Sequence, residues 1–272
     1  MVFDGILILS DLDGTLLDGS ASLSEGNRAA IERYIRHGGR FGFATGRTLQ
    51  GVGHYADKIP LNAPGVIFNG SAAYDFASGE RVFEIFLPDG AQVLARDICS
   101  RFPGSGLEIY TSSGGVAVQI NQRVRHHMAH TRSNLWEGPV ECAKEPWISM
   151  LFIHEPEIIA DDALTYMESR YSDRFSFQLS MPHMVEIQAR GADKGAGALK
   201  VCRHLGIPPE NLYVAGDGLN DIQLLSCTKN AFCPKNAHPD ILAMGCAKLP
   251  SNEDDCIAAL IDIIEKERTA LP

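Results

Sequence analysis

Five mostly apolar residues, Ile6–Ser10, lead straight into Asp11-Leu-Asp-Gly-Thr15. An apolar run of that length reads as a strand buried on both faces, as parallel sheets require. It confines the chain to an α/β architecture, in which ligands bind beyond the C-terminal ends of the strands. Asp11 and Asp13 stand at such an end, and alternate side chains of an extended backbone point the same way. If the chain stays extended there, the two carboxylates crowd one small volume, at a cost in stability. A hard dication removes the cost, because Mg²⁺ takes carboxylate oxygens while keeping several waters. An ordinary Asp-rich turn after a strand is the alternative.

Strand and helix patterns alternate at both ends of the chain. A helix is predicted over Ser24–His37, opened by Ser24 and closed by Gly38-Gly39, with strands over Phe41–Ala44 and Val66–Phe68. Further on come a helix over Lys194–Leu205, a strand over Leu212–Ala215, a short helix over Asp221–Ser226 and a terminal helix over Asp254–Lys266. This order predicts an α/β fold with a doubly wound, Rossmann-like parallel sheet. The middle differs. Pro88-Asp89 opens a helical pattern to Phe102, followed by Leu107–Tyr110, Val116–Ile120, a helix near Arg123–His130, Ile148–Ile153, a helix over Glu157–Tyr171, Phe175–Leu179 and Met184–Gln188. The αββαβαββ order predicts an inserted α+β domain at 87–187, with the core formed by 1–86 and 188–272. Two links, near 82–88 and 187–193, permit hinge motion.

Bulk properties narrow the function. The chain has 272 residues, is 45% hydrophobic and carries a formal net charge of -10, so it can bury a sizeable core. With no Lys/Arg-rich run, that charge argues against nucleic acid as a partner. No apolar stretch reaches the length of a membrane span, and the N-terminus, whose apolar run stops at Asp11, is not expected to be a signal peptide. Seven scattered cysteines without a C-x-x-C pair predict reduced thiols in the cytoplasm.

Three more segments fall where this topology places strand ends or loops. Ala44-Thr45-Gly46-Arg47 offers a hydroxyl and an approachable glycine N–H to a phosphoryl oxygen, or is an ordinary turn. In Gly191-Ala-Asp-Lys-Gly195, Asp193 reads as a helix N-cap and leaves Lys194 in the first turn. A cation there opposes the helix dipole and makes most sense facing anions; a solvated surface lysine is the plainer reading. Gly216-Asp-Gly-Leu-Asn-Asp221 adds Asp217 and Asp221 at another strand end, or forms a polar turn.

Read in order, Asp-x-Asp, Thr, Lys and Gly-Asp-x-x-x-Asp make the chain resemble the haloacid dehalogenase (HAD) superfamily, and within it the Cof-type phosphatases. The resemblance spans nearly the whole chain and implies that the insert is a C2 type-B cap. It implies a Mg²⁺-dependent phosphatase acting through an aspartyl-phosphate on phosphomonoesters of small metabolites, sugar phosphates foremost. By position it makes Asp11 the nucleophile and Asp13 the general acid/base. Asp11, Asp217 and the Asp13 backbone carbonyl would hold the metal, with Asp221 orienting its shell. Thr45, Gly46, Arg47 and Lys194 would meet the phosphoryl oxygens, and Asn220 would brace Lys194 or the phosphate. Two turns depart from the family pattern, Pro234-Lys-Asn-Ala237 and Ser251-Asn-Glu-Asp-Asp-Cys256, each lacking a usual glycine. The alternatives are a phosphomutase or phosphotransferase using the same aspartyl-phosphate, and a non-catalytic module that binds phosphate esters.

Other residues are weaker pointers. Arg47 either reaches a substrate phosphate or is a surface residue opening a helix. Asn69-Gly70 either approaches the site or is a plain turn. His126 and His130 can share a helix face and bind a metal, although a surface lining the substrate cleft is favoured for these and His127. Trp136 and Trp147 are expected in the core, and His183 is a candidate for substrate contact. The expected partner is a small phosphorylated metabolite; oligomeric state is not legible.

Overall fold

A computed structural model describes residues 1–131, 133, 135–144, 146–154 and 160–270, without the side chains of residues 130, 160 and 161. The chain divides into two units, Met1–Phe83 with Asp193–Pro272, and Glu84–Ala192. In chain order the first begins with β1 (Leu7–Ser10), α1 (Glu25–Arg36), β2 (Arg40–Phe43), α2 (Leu49–Ala56), β3 (Gly65–Ile67), β4 (Ala72–Asp75) and β5 (Glu80–Glu84). The second holds α3 (Ala91–Arg101), β6 (Gly106–Thr111), β7 (Gly114–Val118), α4 (Gln122–Thr131), β8 (Trp136–Glu137), β9 (Trp147–Ile153), α5 (Ala160–Tyr171), β10 (Phe175–Met181) and β11 (Met184–Ala189). The first unit resumes with α6 (Lys194–Leu205), β12 (Leu212–Ala215), α7 (Ile222–Ser226), β13 (Asn230–Pro234), α8 (Pro239–Ala243), β14 (Ala247–Leu249) and α9 (Cys256–Thr269).

The first unit is built on a five-stranded sheet in the order β14-β13-β12-β1-β2, and every pair is parallel. Leu7, Ile8 and Leu9 are fully buried, as the apolar run predicts. Each such side chain contributes about 1.5–3 kcal/mol by leaving water. Register sets the site: Ser10 pairs with Ala215 on one side and Phe43 on the other. The residues that follow β1, β2 and β12 therefore emerge side by side at one sheet edge. Ser24 caps α1 by accepting from the Asn27 N–H at 3.2 Å. Asp193 caps α6 by accepting from the Ala196 N–H at 2.8 Å, and Gly206 ends that helix in the left-handed region.

The expected elements of this unit all form, and α2, α8 and the strands β4, β5, β13 and β14 are additional. Their signals are weak. Helix α2 carries two glycines, Gly51 and Gly53, and β13 ends on Pro234. Strands β4 and β5 form a hairpin whose outer half is only partly buried, so no clean alternation marks it.

The second unit is a six-stranded sheet in the order β10-β11-β9-β6-β7-β8. One face carries Leu107, Ile109, Met150, Phe152, Val185 and Ile187 into a core shared with Leu94 and Ile98 of α3 and Ala163 and Met167 of α5. The alternate positions Glu108, Tyr110 and Ser149 are polar yet buried. Among the described residues, strand β8, too short to announce itself, and a 3-10 turn at Val140–Cys142 are added to the expected order. The start expected for α5 at Glu157 lies outside the described residues.

Trp147 is 1% exposed, as expected, and its indole N–H donates to the Ala143 carbonyl at 3.1 Å. Trp136 is 79% exposed, which corrects the expectation of a core position. It sits on a two-residue strand at the edge of the sheet. His127 of α4 turns to Glu108, with Nδ1 3.0 Å from both carboxylate oxygens, whereas His126 is exposed. The His130 side chain lies outside the described ones. His183 is half-buried, and burial, then the nearby Arg123, His154 and His127, lower its pKa.

Candidate active site

Asp11 follows β1 directly and is anchored by its N–H, which donates to the Ala215 carbonyl at 2.8 Å. The chain does not stay extended after it. Leu16 and Leu17 donate back to the carbonyls of Asp11 and Leu12 at 3.2 and 2.8 Å, and Gly14 turns with φ +80°. Asp11 is consequently buried at 6% exposure, while the Asp13 side chain remains half exposed. The two carboxylates are thus carried by a turn and not by an extended strand, and the charge of Asp13 still adds to those that raise the pKa of Asp11.

What crowds Asp11 instead comes from distant segments. Asp11, Asp217 and Asp221 each place a carboxylate oxygen within 4.8 Å of the others. Lys194, the first residue of α6, is fully buried, and its Nζ lies 2.7 Å from Asp11 Oδ1 and 2.7 Å from Asp221 Oδ1. Burial alone would lower the lysine pKa, but the two carboxylates overcome this and raise it. Asp11 is pushed well above the usual carboxylate range, by burial first and then by Asp221, with Lys194 opposing. Asp217 is pushed up to about 6 by burial, partly offset by the Thr15 hydroxyl, which donates to Asp217 Oδ1 at 2.6 Å.

Each carboxylate is held. Asp217 backs directly onto Gly14, where a Cβ would come 2.5 Å from Asp217 Oδ2; only glycine fits this close approach and this φ. Asp221 Oδ2 accepts from the N–H groups of Asp217 and Gly218 at 3.0 and 2.9 Å, so Asp221 fixes both its own loop and the lysine. Asp11 and Asp221, both buried, and the half-buried Asp217 outnumber the one lysine ammonium and leave an excess of negative charge in a poorly solvated volume. Their donor set is all oxygen and suits a hard dication.

Thr45, two residues beyond β2, is 1% exposed and accepts from the Arg47 N–H at 3.2 Å. Its own N–H donates to the Val66 carbonyl at 2.9 Å. Gly46 packs against the Asn69 amide. The Arg47 side chain is 14% exposed. Its guanidinium grips Asp13 through Nε and Nη2, each at 2.7 Å, and stacks over the Tyr55 ring at 4.4 Å. Thr48 caps α2, so Arg47 precedes that helix. Asn220 Nδ2 donates to Asn69 Oδ1 at 3.1 Å.

Several supports are not legible as motifs. Asn236 donates to the Gly14 carbonyl at 2.8 Å, Asn252 to that of Leu17 at 3.0 Å, and the Cys256 thiol to that of Thr15 at 3.1 Å. The two turns that depart from the family pattern thus brace the loop carrying Asp11 and Asp13.

Against known proteins, the haloacid dehalogenase-like hydrolase family matches residues 8–261. The chain belongs to that family, and the α/β core with an inserted α+β cap is its fold. It is 28% identical over 223 residues to a 5-amino-6-(5-phospho-D-ribitylamino)uracil phosphatase of Bacillus subtilis, covering 80% of this chain and 79% of that one. It is 27% identical over 239 residues to the HMP-PP phosphatase of Cronobacter sakazakii, covering 86% and 85%. Among solved structures, a sugar phosphatase of HAD subclass IIB superposes with a TM-score of 0.83 at 19% identity over 95% of this chain and 98% of that one. A haloacid dehalogenase-like hydrolase from Bacteroides thetaiotaomicron does so with a TM-score of 0.82 at 22% identity, covering 96% and 99%. Among the described residues no helix is long and apolar enough to cross a membrane.

Proposed function

We propose that this hydrolase is a Mg²⁺-dependent phosphatase that cleaves phosphomonoesters of small metabolites through an aspartyl-phosphate on Asp11. The observation that carries the reading is the meeting of Asp11, Asp217 and Asp221, beyond the ends of β1 and β12, with Lys194 from the start of α6. A carboxylate is a weak nucleophile toward a phosphate dianion, and a fixed neighbouring cation offsets the repulsion between them. Asp11 and Asp217, with the Asp13 backbone carbonyl, would hold Mg²⁺, and Asp221 would orient its shell. When bound, the ion supplies charge neutralisation for the phosphoryl group.

In the first step an Asp11 oxygen bonds to phosphorus as the ester P–O bond breaks, and Asp13 gives its proton to the departing alkoxide. In the second, Asp13 takes a proton from water, whose oxygen bonds to phosphorus and releases Asp11 and inorganic phosphate. Thr45, Gly46 and Lys194 donate to the equatorial phosphoryl oxygens, where charge spreads during transfer. Arg47 pairs with both oxygens of Asp13 in the substrate-free state, and this pair opens as Asp13 takes up the proton that it gives to the leaving group. The relatives are named for quite different leaving groups, which supports a broad class of phosphorylated metabolites with sugar phosphates foremost. The cysteines, all free, suit a cytoplasmic setting.

The test is phosphate release by purified protein from a panel of phosphorylated metabolites and an aryl phosphate. We expect release with Mg²⁺ and without any bisphosphate activator, loss of release in a chelator, and recovery on adding Mg²⁺. A strict need for a bisphosphate would make the enzyme a mutase, and full activity in chelator would exclude the metal's role.

A further inference from the structure

The turn at Asn69-Gly70 touches three of the segments that build the site. On one side it is laced to the Thr45 loop: Asn69 N–H donates to the Thr45 carbonyl and Phe68 N–H to the Arg47 carbonyl, both at 3.0 Å. The Asn69 side chain is buried at 2% exposure and lies flat against Gly46, where a Cβ would stand 2.9 Å from its Oδ1. That same oxygen accepts from Asn220 in the loop between Asp217 and Asp221. On the other side Gly70 abuts the start of α6, since a Cβ there would stand 1.9 Å from the Asp193 carbonyl oxygen and 2.8 Å from the Lys194 nitrogen.

The chain adopts an uncommon shape to make these contacts. Phe68, Asn69 and Gly70 have φ of +51°, +47° and +99°, a left-handed run that residues with a Cβ seldom adopt. Such strain persists only where surrounding contacts over-determine it. Reversal of the chain from β3 into β4 does not call for a buried amide aimed at a loop 151 positions away.

We propose that Asn69 is a positioning residue, whose amide locks the Gly46 and Asn220 loops together beside the start of α6. The donors for the phosphoryl oxygens then stand in one geometry before substrate arrives. This rests on the phosphatase reading of the same site. Donors fixed in advance act on the transition state without reorganising, and a misplacement of an ångström costs on the order of 10²-fold in rate. The loss should fall on kcat more than on KM.

Asn69→Gly deletes the amide while keeping the left-handed backbone accessible. With an aryl phosphate and Mg²⁺ we expect roughly tenfold or greater loss of kcat, with KM changed by less than about threefold and the melting temperature retained. In a double-mutant cycle, Asn69→Gly with Asn220→Ala should be no worse than the more damaging single change, because both sever one bridge. Wild-type kcat in the glycine variant, or fully additive losses, would overturn the inference. Asn220→Ala alone severs the same bridge from its other end, and its kcat loss is read in the same way if the glycine variant does not fold. No turnover by the wild-type protein would remove the phosphatase reading itself, whereas turnover with an indifferent variant removes only the role of Asn69.

Discussion

Lys194 balances the charge of the site. Its ammonium is the partner of two buried carboxylates, and removing one member of a buried ionic cluster leaves the others uncompensated. Lys194→Met, close in volume and without charge, is expected to abolish turnover and to destabilise the metal-free protein by about 3 kcal/mol or more in urea unfolding. A change below about 1 kcal/mol would show that the carboxylates do not depend on it. At this scale the sequence was legible where a residue ends an apolar run. Asp11, Asp217 and Asp221 stand out because polar groups there cannot belong to the sheet. It was not legible where meaning lies in a partner: Arg47 with Asp13, 34 positions apart; Asn69 with Asn220, 151 apart; Asn236 with Gly14, 222 apart. A pairwise hydrogen bond across such distances leaves no local pattern.

At the scale of elements, α4 is tied to the cap sheet by His127. Burial works to lower the imidazole pKa, and the hydrogen bond and charge of Glu108, helped by Glu186, more than offset it and raise the value above its ordinary 6.5. The Tyr110 hydroxyl donates to the same carboxylate. Since the folded state holds the proton more tightly than the unfolded chain, this contribution to stability is complete below about pH 6.5 and fades as pH rises through the elevated folded value. The melting-temperature gap between wild type and His127→Gln should therefore be wider near pH 6 than near pH 9, and a gap that does not change with pH would contradict it. Element boundaries followed the strength of their signals. Lys194–Leu205 and Leu212–Ala215 form over the residues predicted, having a clear cap and a clean apolar run, respectively. Strands of two or three residues such as β8 and β14 are too short for a period to appear, and tertiary pairing alone creates them.

At the scale of the molecule, the parallel core and its insert divide the labour that the sequence itself divides. All the proposed chemistry lies in the unit formed by the two ends of the chain, which is why four motifs scattered from residue 11 to residue 221 are needed to describe one site. The fold family was readable because the order of those motifs is itself informative; the leaving group was not, because no residue pattern in the sequence corresponds to one. The central claim is that Asp11 takes the phosphoryl group, and rapid acid quench of the enzyme turning over a phosphomonoester in Mg²⁺, followed by peptide mass spectrometry, tests it most directly. A hydroxylamine-labile phosphoryl group on Asp11 is expected, absent in an inert but folded Asp11→Asn variant; a label on another residue, or ordinary turnover by that variant, would contradict the role of Asp11.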